Sequence, residues 1–497
     1  RGLGDVYKRQ MLFNSYAFLC FFPLALLLYW GSRRSLKLQN AVLVALSYVF
    51  YAWWDLRFLA LIVGMTAVGF LSALAIGPTT SHSPQRRRLT FLTGTGICLG
   101  TLALFKYYDF FIGECNALLA ALGTSHPFPL LHLLLPVGIS FYTFQIVSYM
   151  ADVYRGRMDA CRDAVAFAAF VSFFPQLVAG PIERASDLLP QMQRPRTASY
   201  ADFVNGFRLM LWGFVKKMLL ADRCAPLVDM VFSDPSATGP QLWTAALLFA
   251  FQIYGDFSGY SDIAIGAARM FGIRLTRNFH LPYFSRSVPE FWRRWHISLM
   301  TWLKDYVYIP LGGSRCSHTC HMRNIALVFL ISGIWHGANW TFIAWGLFQL
   351  IGFLPQFLSP RKTVPAPSEA SVNAPQSNLS RWFPTGKEAV QMVATFAFVC
   401  IGWVLFRSDT LGEATAHIGK MLTELPFAKP FCGWAAFLPI LLVLTTEWVT
   451  RHRNHPLDFS GNGLLRFRGM RWMIYYALIL STLYWGGQQS AFIYFQF

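Results

Sequence analysis

"FLISGIWHGANWTFIAWGLF", residues 329–348, holds one histidine and no formally charged side chain. Between Arg323 and Arg361 the chain carries no Asp, Glu, Lys or Arg. By length and apolarity this stretch reads as bilayer-spanning, yet it sets an imidazole, His336, in its middle. An ionisable group at membrane depth costs free energy unless it is paired or faces a wet cavity, and by default it marks a functional site. If the stretch is one helix, Ser332, His336 and Asn339 lie at i−4, i and i+3 and share a face, with Trp335 and Trp340 beside them. Such a stripe faces a protein interior or a tunnel. The alternative is a buried histidine that only hydrogen-bonds a neighbouring helix.

Composition places the rest of the chain around that span. Of 497 residues 55% are hydrophobic and only 13% charged, about half the charged share usual in soluble domains, so the chain is a membrane protein. The net charge of +18 raises nucleic-acid binding as an alternative. The basic residues, however, sit in short clusters between apolar runs, which is how cytoplasmic loops look in a polytopic membrane protein. No nucleic-acid partner is expected. Residues 1–10, "RGLGDVYKRQ", differ in character from the apolar run that begins at Met11 and read as a non-native leader before it. The first apolar run reads as a retained span, because no small-residue cleavage site comes after it.

Apolar runs mark candidate spans near 12–30, 39–54, 57–77, 89–108, 131–150, 203–221, 241–266, 324–355, 388–406, 432–449 and 472–486. The 324–355 run is long enough for a bent span or two segments, which gives about ten to twelve membrane segments in an all-α protein. Arg33, Arg34 and Lys37 follow the first span, Arg86 to Arg88 the third, and Arg155, Arg157 and Arg162 the fifth. Alternate loops are therefore basic, which predicts that those loops are cytoplasmic. Residues 358–387, rich in Pro, Ser, Asn and Ala, read as a flexible loop.

Two stretches break helical regularity. In "FFPQLVAGPIE" (173–183), Pro175 and Pro181 each remove a backbone donor and clash with the preceding turn. A kinked or re-entrant segment covered by protein or water is one reading, and a simple proline kink is the other. In 286–315, "RSVPEFWRRWHISLMTWLKDYVYIPLGGSR", tryptophans and basic residues share each turn, as in an interfacial or half-inserted amphipathic helix.

Other polar groups are read conservatively. Asp256 and Asp262 lie inside one apolar segment and need partners, for which Arg269 or a basic residue of 286–315 is available. Structural pairing is the first reading for them and catalysis the lesser. "CSHTCH" (316–321) fits no common zinc spacing and reads as a plain loop, so no metal is expected. Nine scattered cysteines imply no disulfide framework. No GxGxxG, Walker, HExxH or GxSxG pattern supports nucleotide, zinc-protease or serine-esterase chemistry. A transporter remains open, since broken helices and buried carboxylates suit one too.

An ordered series of segments resembles the membrane-bound O-acyltransferase (MBOAT) superfamily, and within it the alginate O-acetylation branch. The series is "LSYVFYAWWDLRFL" (46–59), "LPVGISFYTFQIVSYMADVYRG" (135–156), "FFPQLVAGPIERASDLLPQ" (173–191), "DFSGYSDIAIG" (256–266), "NFHLPYFSRSVPEFWRRWHISLMTWLKDYVYIPLGG" (278–313), "SGIWHGANWTFIAWG" (332–346) and "FIYFQF" (492–497). The resemblance runs nearly end to end from Met11. It implies a single membrane domain over 11–497, a ring of tilted, kinked and re-entrant helices around a central tunnel. It also implies His336 as the essential catalytic histidine and His296 as the second one.

The activity that the resemblance implies is acyl transfer, with His336 as general base on an acceptor hydroxyl. Asn339 is then expected to orient the imidazole or stabilise the oxyanion, and Arg293 and Arg294 to meet the donor's phosphates. Tyr494 matches a tyrosine proposed as an acyl relay in related systems, with an interfacial anchor as the equal alternative. No tightly bound cofactor is expected; the donor substrate is acetyl-CoA or a carrier-protein thioester. The implied partner is an extracytoplasmic SGNH-hydrolase-like acetyltransferase that passes acetyl to an exported, alginate-like polysaccharide, with the chain in the bacterial inner membrane. Peptidoglycan or teichoic acid is the alternative acceptor, and a transporter or assembly scaffold the alternative class.

Overall fold

The computed structural model describes residues 11–77, 83–123, 127–178, 180–358, 383–424, 432–459, 467–486, 490 and 492–493. Residues 1–10, read above as a leader, most of 358–387, read as a flexible loop, and Tyr494 lie outside the described residues. Among those described the chain is helical, with no β-strand. It divides into two compact units, one of Arg1–Met218, Asp256–Arg277 and Leu457–Phe497, the other of Leu219–Gly255 and Asn278–Pro456.

The helices run α1 Tyr16–Gly31, α2 Leu36–Ala52, α3 Leu56–Ile76, α4 Pro84–Ala121, α5 Ile139–Tyr154, α6 Ala164–Ser172, α7 Phe174–Leu177, α8 Ala185–Met192 and α9 Tyr200–Phe214. After a π-helical segment, Val215–Ala221, come α10 Asp222–Phe232, α11 Gly239–Met270, α12 Val288–Arg294, α13 Ile297–Leu303, α14 His318–His336 and α15 Trp340–Ile351. The remainder are α16 Leu354–Leu358, α17 Gly386–Arg407, α18 Leu411–Thr423, α19 Leu438–Val449 and α20 Arg468–Trp485. Helix starts obey capping chemistry: Ser15, Ser35 and Ser83 each accept a backbone N–H of the first turn. Ser199 with Asp202, and Thr385 with Glu388, form reciprocal capping boxes. Three helices, α3, α4 and α17, are long and apolar enough to cross a bilayer by length and composition. The apolar helices α1 and α2 and the stretch Trp434–Val449 are shorter.

In the first unit the ends of α1 and α3, the 160–161 loop and the turn after α11 are linked by direct contacts. Tyr29 Oη donates to the Phe271 carbonyl at 2.8 Å and Trp30 Nε1 to that of Met270 at 3.1 Å. Gln193 Nε2 donates to Cys161 Sγ at 3.3 Å, and Gly77 lies against Ala160. The basic clusters 33–37, 86–88 and 155–162 are thereby gathered together. Helix α4 continues to Ala121 where the sequence suggested a loop from 109, so at 38 residues it outruns a single bilayer span of roughly 20 residues.

The 173–183 stretch is neither a straight nor a merely kinked helix. Phe173 leaves helical geometry at ψ 105°, α7 lasts four residues, and the chain then runs irregularly to α8. Its described residues are nearly all buried, which is the condition for irregular backbone close to a membrane. At its end, outside the runs that span, Glu183 is 2% exposed and accepts from Thr276 N at 2.5 Å and Thr276 Oγ1 at 2.8 Å. Burial pushes its carboxyl up to about 7.

Helices α9 and α11 approach at glycines. A Cβ on Gly213 would lie 2.5 Å from the Gly259 carbonyl oxygen, and one on Gly259 2.7 Å from that of Gly213. This close seam brings the π-helical lysines to the aspartates: Lys216 Nζ is 2.6 Å from Asp262 and Lys217 Nζ 2.7 Å from Asp256. The pairing expected for the aspartates is present, but the partners are these lysines, not Arg269, which binds Asp202 instead. Two adjacent lysines inside the apolar run 203–221 are the signal that identifies them.

Candidate active site

The second unit holds both histidines. Residues 286–315 do not form one amphipathic helix but two seven-residue helices, α12 and α13, and a π-helical turn, Lys304–Tyr308. The break falls at Trp295–His296, where His296 has φ 46°. That left-handed conformation is uncommon for a residue with a side chain and tends to occur where surrounding structure enforces it. Here a neighbouring segment supplies the enforcement: Ile297 N donates to Asn278 O at 2.9 Å and His280 N to Arg294 O at 2.9 Å.

The buried Asn278 side chain then fixes the ring. Its Oδ1 lies 3.2 Å from His296 Nδ1 and accepts from Ser298 Oγ at 2.9 Å and Ser298 N at 3.3 Å. A carbonyl oxygen only accepts, so His296 Nδ1 carries the proton in this pair and Nε2 presents the lone pair. Asn278 sits at the head of the 278–313 series, but nothing in its spacing marked it as a functional residue.

The run 324–355 is two segments. Helix α14 ends at His336, and α15 starts at Trp340 with Asn339 as its cap. Gly337 allows the turn, since a Cβ there would overlap the Phe342 ring. Gly333 and Gly346 let α14 and α15 approach to backbone contact. The break undoes the single-helix premise for Ser332, His336 and Asn339. Ser332 and His336 remain on α14, both buried. The Asn339 amide is engaged elsewhere, donating to Asp409 O at 2.8 Å and accepting from Thr341 N at 3.1 Å. Of the flanking tryptophans, Trp335 is buried and Trp340 exposed.

His336, 5% exposed, is enclosed by rings: Trp335 at 5.0 Å, Trp345 at 5.1 Å and Phe406 at 5.4 Å between centroids. Trp335 also meets His296 at 5.8 Å. One indole therefore touches both imidazoles, and the two histidines chosen from sequence belong to one cluster.

A cavity of about 400 Å³ adjoins this cluster, lined by Trp292, Arg293, Met300, Thr301, Lys304 and Phe329 among others. Trp292 packs on Trp345 at 5.6 Å, so its wall lies two rings from His336. The two candidate phosphate ligands separate here. Arg293 is exposed, and no hydrogen bond or ion pair among the described residues holds its guanidinium. Arg294 is bound to Glu290 at 2.6 Å, and Glu290 also binds Arg286. Residues 316–321 are not a loop: Ser317 caps α14 and His318 to His321 form its first turn.

In the first unit, the first residues of the terminal motif, and Ser490 before it, are anchored. Ile493 N donates to Asp256 Oδ2 at 2.6 Å, Lys217 Nζ donates to Ser490 O at 3.1 Å, and Phe492 packs on Tyr260 at 4.9 Å. Tyr494 itself lies outside the described residues.

Residues 161–366 match the MBOAT, membrane-bound O-acyltransferase family. Over nearly its whole length the chain is similar to the probable alginate O-acetylase AlgI of Pseudomonas putida, 38% identical over 98% of this chain and 100% of the relative. The protein of the same description from Pseudomonas aeruginosa is 42% identical over 81% of this chain and 73% of its own. The peptidoglycan O-acetyltransferase of Helicobacter pylori is 35% identical over 83% and 80% respectively.

Proposed function

The chain belongs to the membrane-bound O-acyltransferase family, and from that premise we propose that residues 11–497 act as one inner-membrane domain that moves acetyl from a cytoplasmic thioester for O-acetylation of an exported, alginate-like polysaccharide. It is an O-acyltransferase and a membrane protein. The observation that carries the mechanism is the pair of imidazoles, His296 and His336, packed on the one Trp335 indole.

His336 acts as general base. An acceptor hydroxyl adds to the thioester carbonyl while His336 takes its proton; the tetrahedral adduct then expels the donor thiolate, which the imidazolium protonates. Such assistance is typically worth about 10²–10⁴ in rate. The aromatic enclosure supports this role, because it keeps bulk water from competing as acceptor. His296, its Nδ1 proton held by Asn278, offers the Nε2 lone pair to donor or acceptor. Asn339 positions His336 through the turn that it caps. Arg293 meets the phosphates of acetyl-CoA or of a carrier-protein thioester, and Arg294 holds α12 through Glu290. Tyr494 receives the acetyl group for an SGNH-hydrolase-like partner on the far side, which acetylates the polymer.

The test is polymer acetyl content in cells carrying the substituted protein. His336→Ala is expected to abolish acetylation at unchanged membrane abundance, and retained acetylation overturns the base. Tyr494→Phe is expected to reduce it sharply; an unchanged level makes Tyr494 an anchor. Similarity to the Helicobacter pylori protein favours peptidoglycan as the second acceptor to assay.

A further inference from the structure

We infer that the first unit carries a phosphate-binding site separate from the histidine cluster. It is a cavity of about 290 Å³ between the segment after α8 and the turn after α11, lined by Gln191, Arg194, Arg196, Thr197, Arg269, Arg274 and one carboxylate, Asp202.

Arg196 carries the argument. Its side chain is 8% exposed, and the groups it binds are all uncharged: Asn40 Oδ1 at 2.5 Å, Gln39 Oε1 at 3.3 Å and Met192 Sδ at 3.3 Å, with the Tyr29 ring 5.3 Å away. Nε is buried and makes no hydrogen bond among the described residues. A buried guanidinium normally has a carboxylate or another anion against it. No carboxylate among the described residues forms an ion pair with this one.

The other lining arginines point to the same missing anion. Arg194 and Arg274 are exposed, and no hydrogen bond or ion pair among the described residues holds either guanidinium. Arg269 has one carboxylate, Asp202 at 3.1 Å, which also caps Ser199. Four guanidinium forks thus share one committed aspartate. Planar forks suit phosphate oxygens, which accept from them two at a time.

The walls are fixed in place. Gln191 clamps Arg274 through both its backbone groups, at 2.9 and 3.0 Å, and a Cβ on Gly272 (φ 72°) would lie 2.7 Å from Thr197 O. Gln193 beside the lining bonds Cys161, and Tyr29 beside Arg196 bonds the Phe271 carbonyl, so the cavity neighbours the basic loops 33–37 and 155–162, a concentration of cations that suits anionic headgroups and soluble phosphates alike. The shared chemistry is a phosphate mono- or diester; its source is an anionic phospholipid or the phosphates of a soluble thioester donor.

The experiment uses the full chain in phosphatidylcholine nanodiscs, as wild type and as the Arg194→Gln/Arg274→Gln double variant. Both positions are exposed, so the fold is spared, and the melting temperature checks this. Binding of phosphatidylglycerol and of coenzyme A is measured separately. A loss of roughly ten- to a hundredfold in one of the two affinities supports the site and names its source. Equal affinities for both ligands in the two proteins, or no wild-type binding of either, overturn it. Failure of His336→Ala to abolish acetylation would leave this result unaffected.

Discussion

The Lys217 ammonium lies 2.7 Å from Asp256 Oδ1, while Oδ2 of the same carboxylate accepts the Ile493 N–H at 2.6 Å. Both side chains are buried, so the pair fastens Ser490 and Ile493 to the interior of α11. Removing one member of a buried pair strands the other charge, at about 3–5 kcal/mol. Asp256→Asn is therefore expected to lower the melting temperature in detergent strongly and to expose the C-terminal residues to carboxypeptidase. The Asp256→Asn/Lys217→Met double variant should regain most of that stability. If the single variant melts like wild type, the pair does not anchor the tail.

Asn278 is the positioning residue for His296. In Asn278→Ala, His296 Nδ1 and Ser298 both lose their acceptor and the ring is free to change tautomer. The expected result is a fall in kcat of about tenfold or more with KM for the donor little changed. Asn278→Asp, which keeps an acceptor oxygen, should restore part of the rate. A variant that changes only KM would move Asn278 out of this role.

Arg293 and Arg294 are neighbours with opposite expectations. Arg293→Gln removes a guanidinium that no described residue holds and should raise KM for the thioester donor roughly ten- to a hundredfold. Arg294→Gln breaks a pair with Glu290 and should instead lower stability while KM stays within about twofold. Steady-state kinetics alongside thermal unfolding distinguishes them, and the reverse pattern rejects the assignment.

Glu183 makes stability depend on pH. Its carboxyl sits at about 7 in the fold against an ordinary value of 4.5, because burial disfavours the anion. A raised carboxyl stabilises the fold when protonated, so the contribution is full below about pH 4.5 and is lost as pH rises through about 7. The melting temperature of wild type should therefore fall between about pH 5.5 and 8 more steeply than that of Glu183→Gln. Parallel curves would show that Glu183 is not the titrating group.

The sequence made the apolar helices legible, because long runs free of charge have few other fates: α3, α17 and α20 lie within a few residues of the expected spans. His336 was legible for the converse reason, an imidazole being conspicuous among apolar residues, whereas His296, beside two arginines, entered only through the family resemblance. The break after His336 was not, since a lone glycine before an alanine does not announce an end to a helix. It depends on the Phe342 ring closing over Gly337. Asn278 was hidden because its importance lies in a contact across 18 residues of chain, and Arg196 because a lone arginine in a polar loop looks solvated.

Because α14 stops at His336, that imidazole occupies the negative pole of a 19-residue helix. The aligned peptide dipoles leave roughly half an elementary negative charge there. A ring placed in mid-helix would have no such field. In the role proposed above, the ring that would take the acceptor's proton thus stands where the helix aims its last carbonyls.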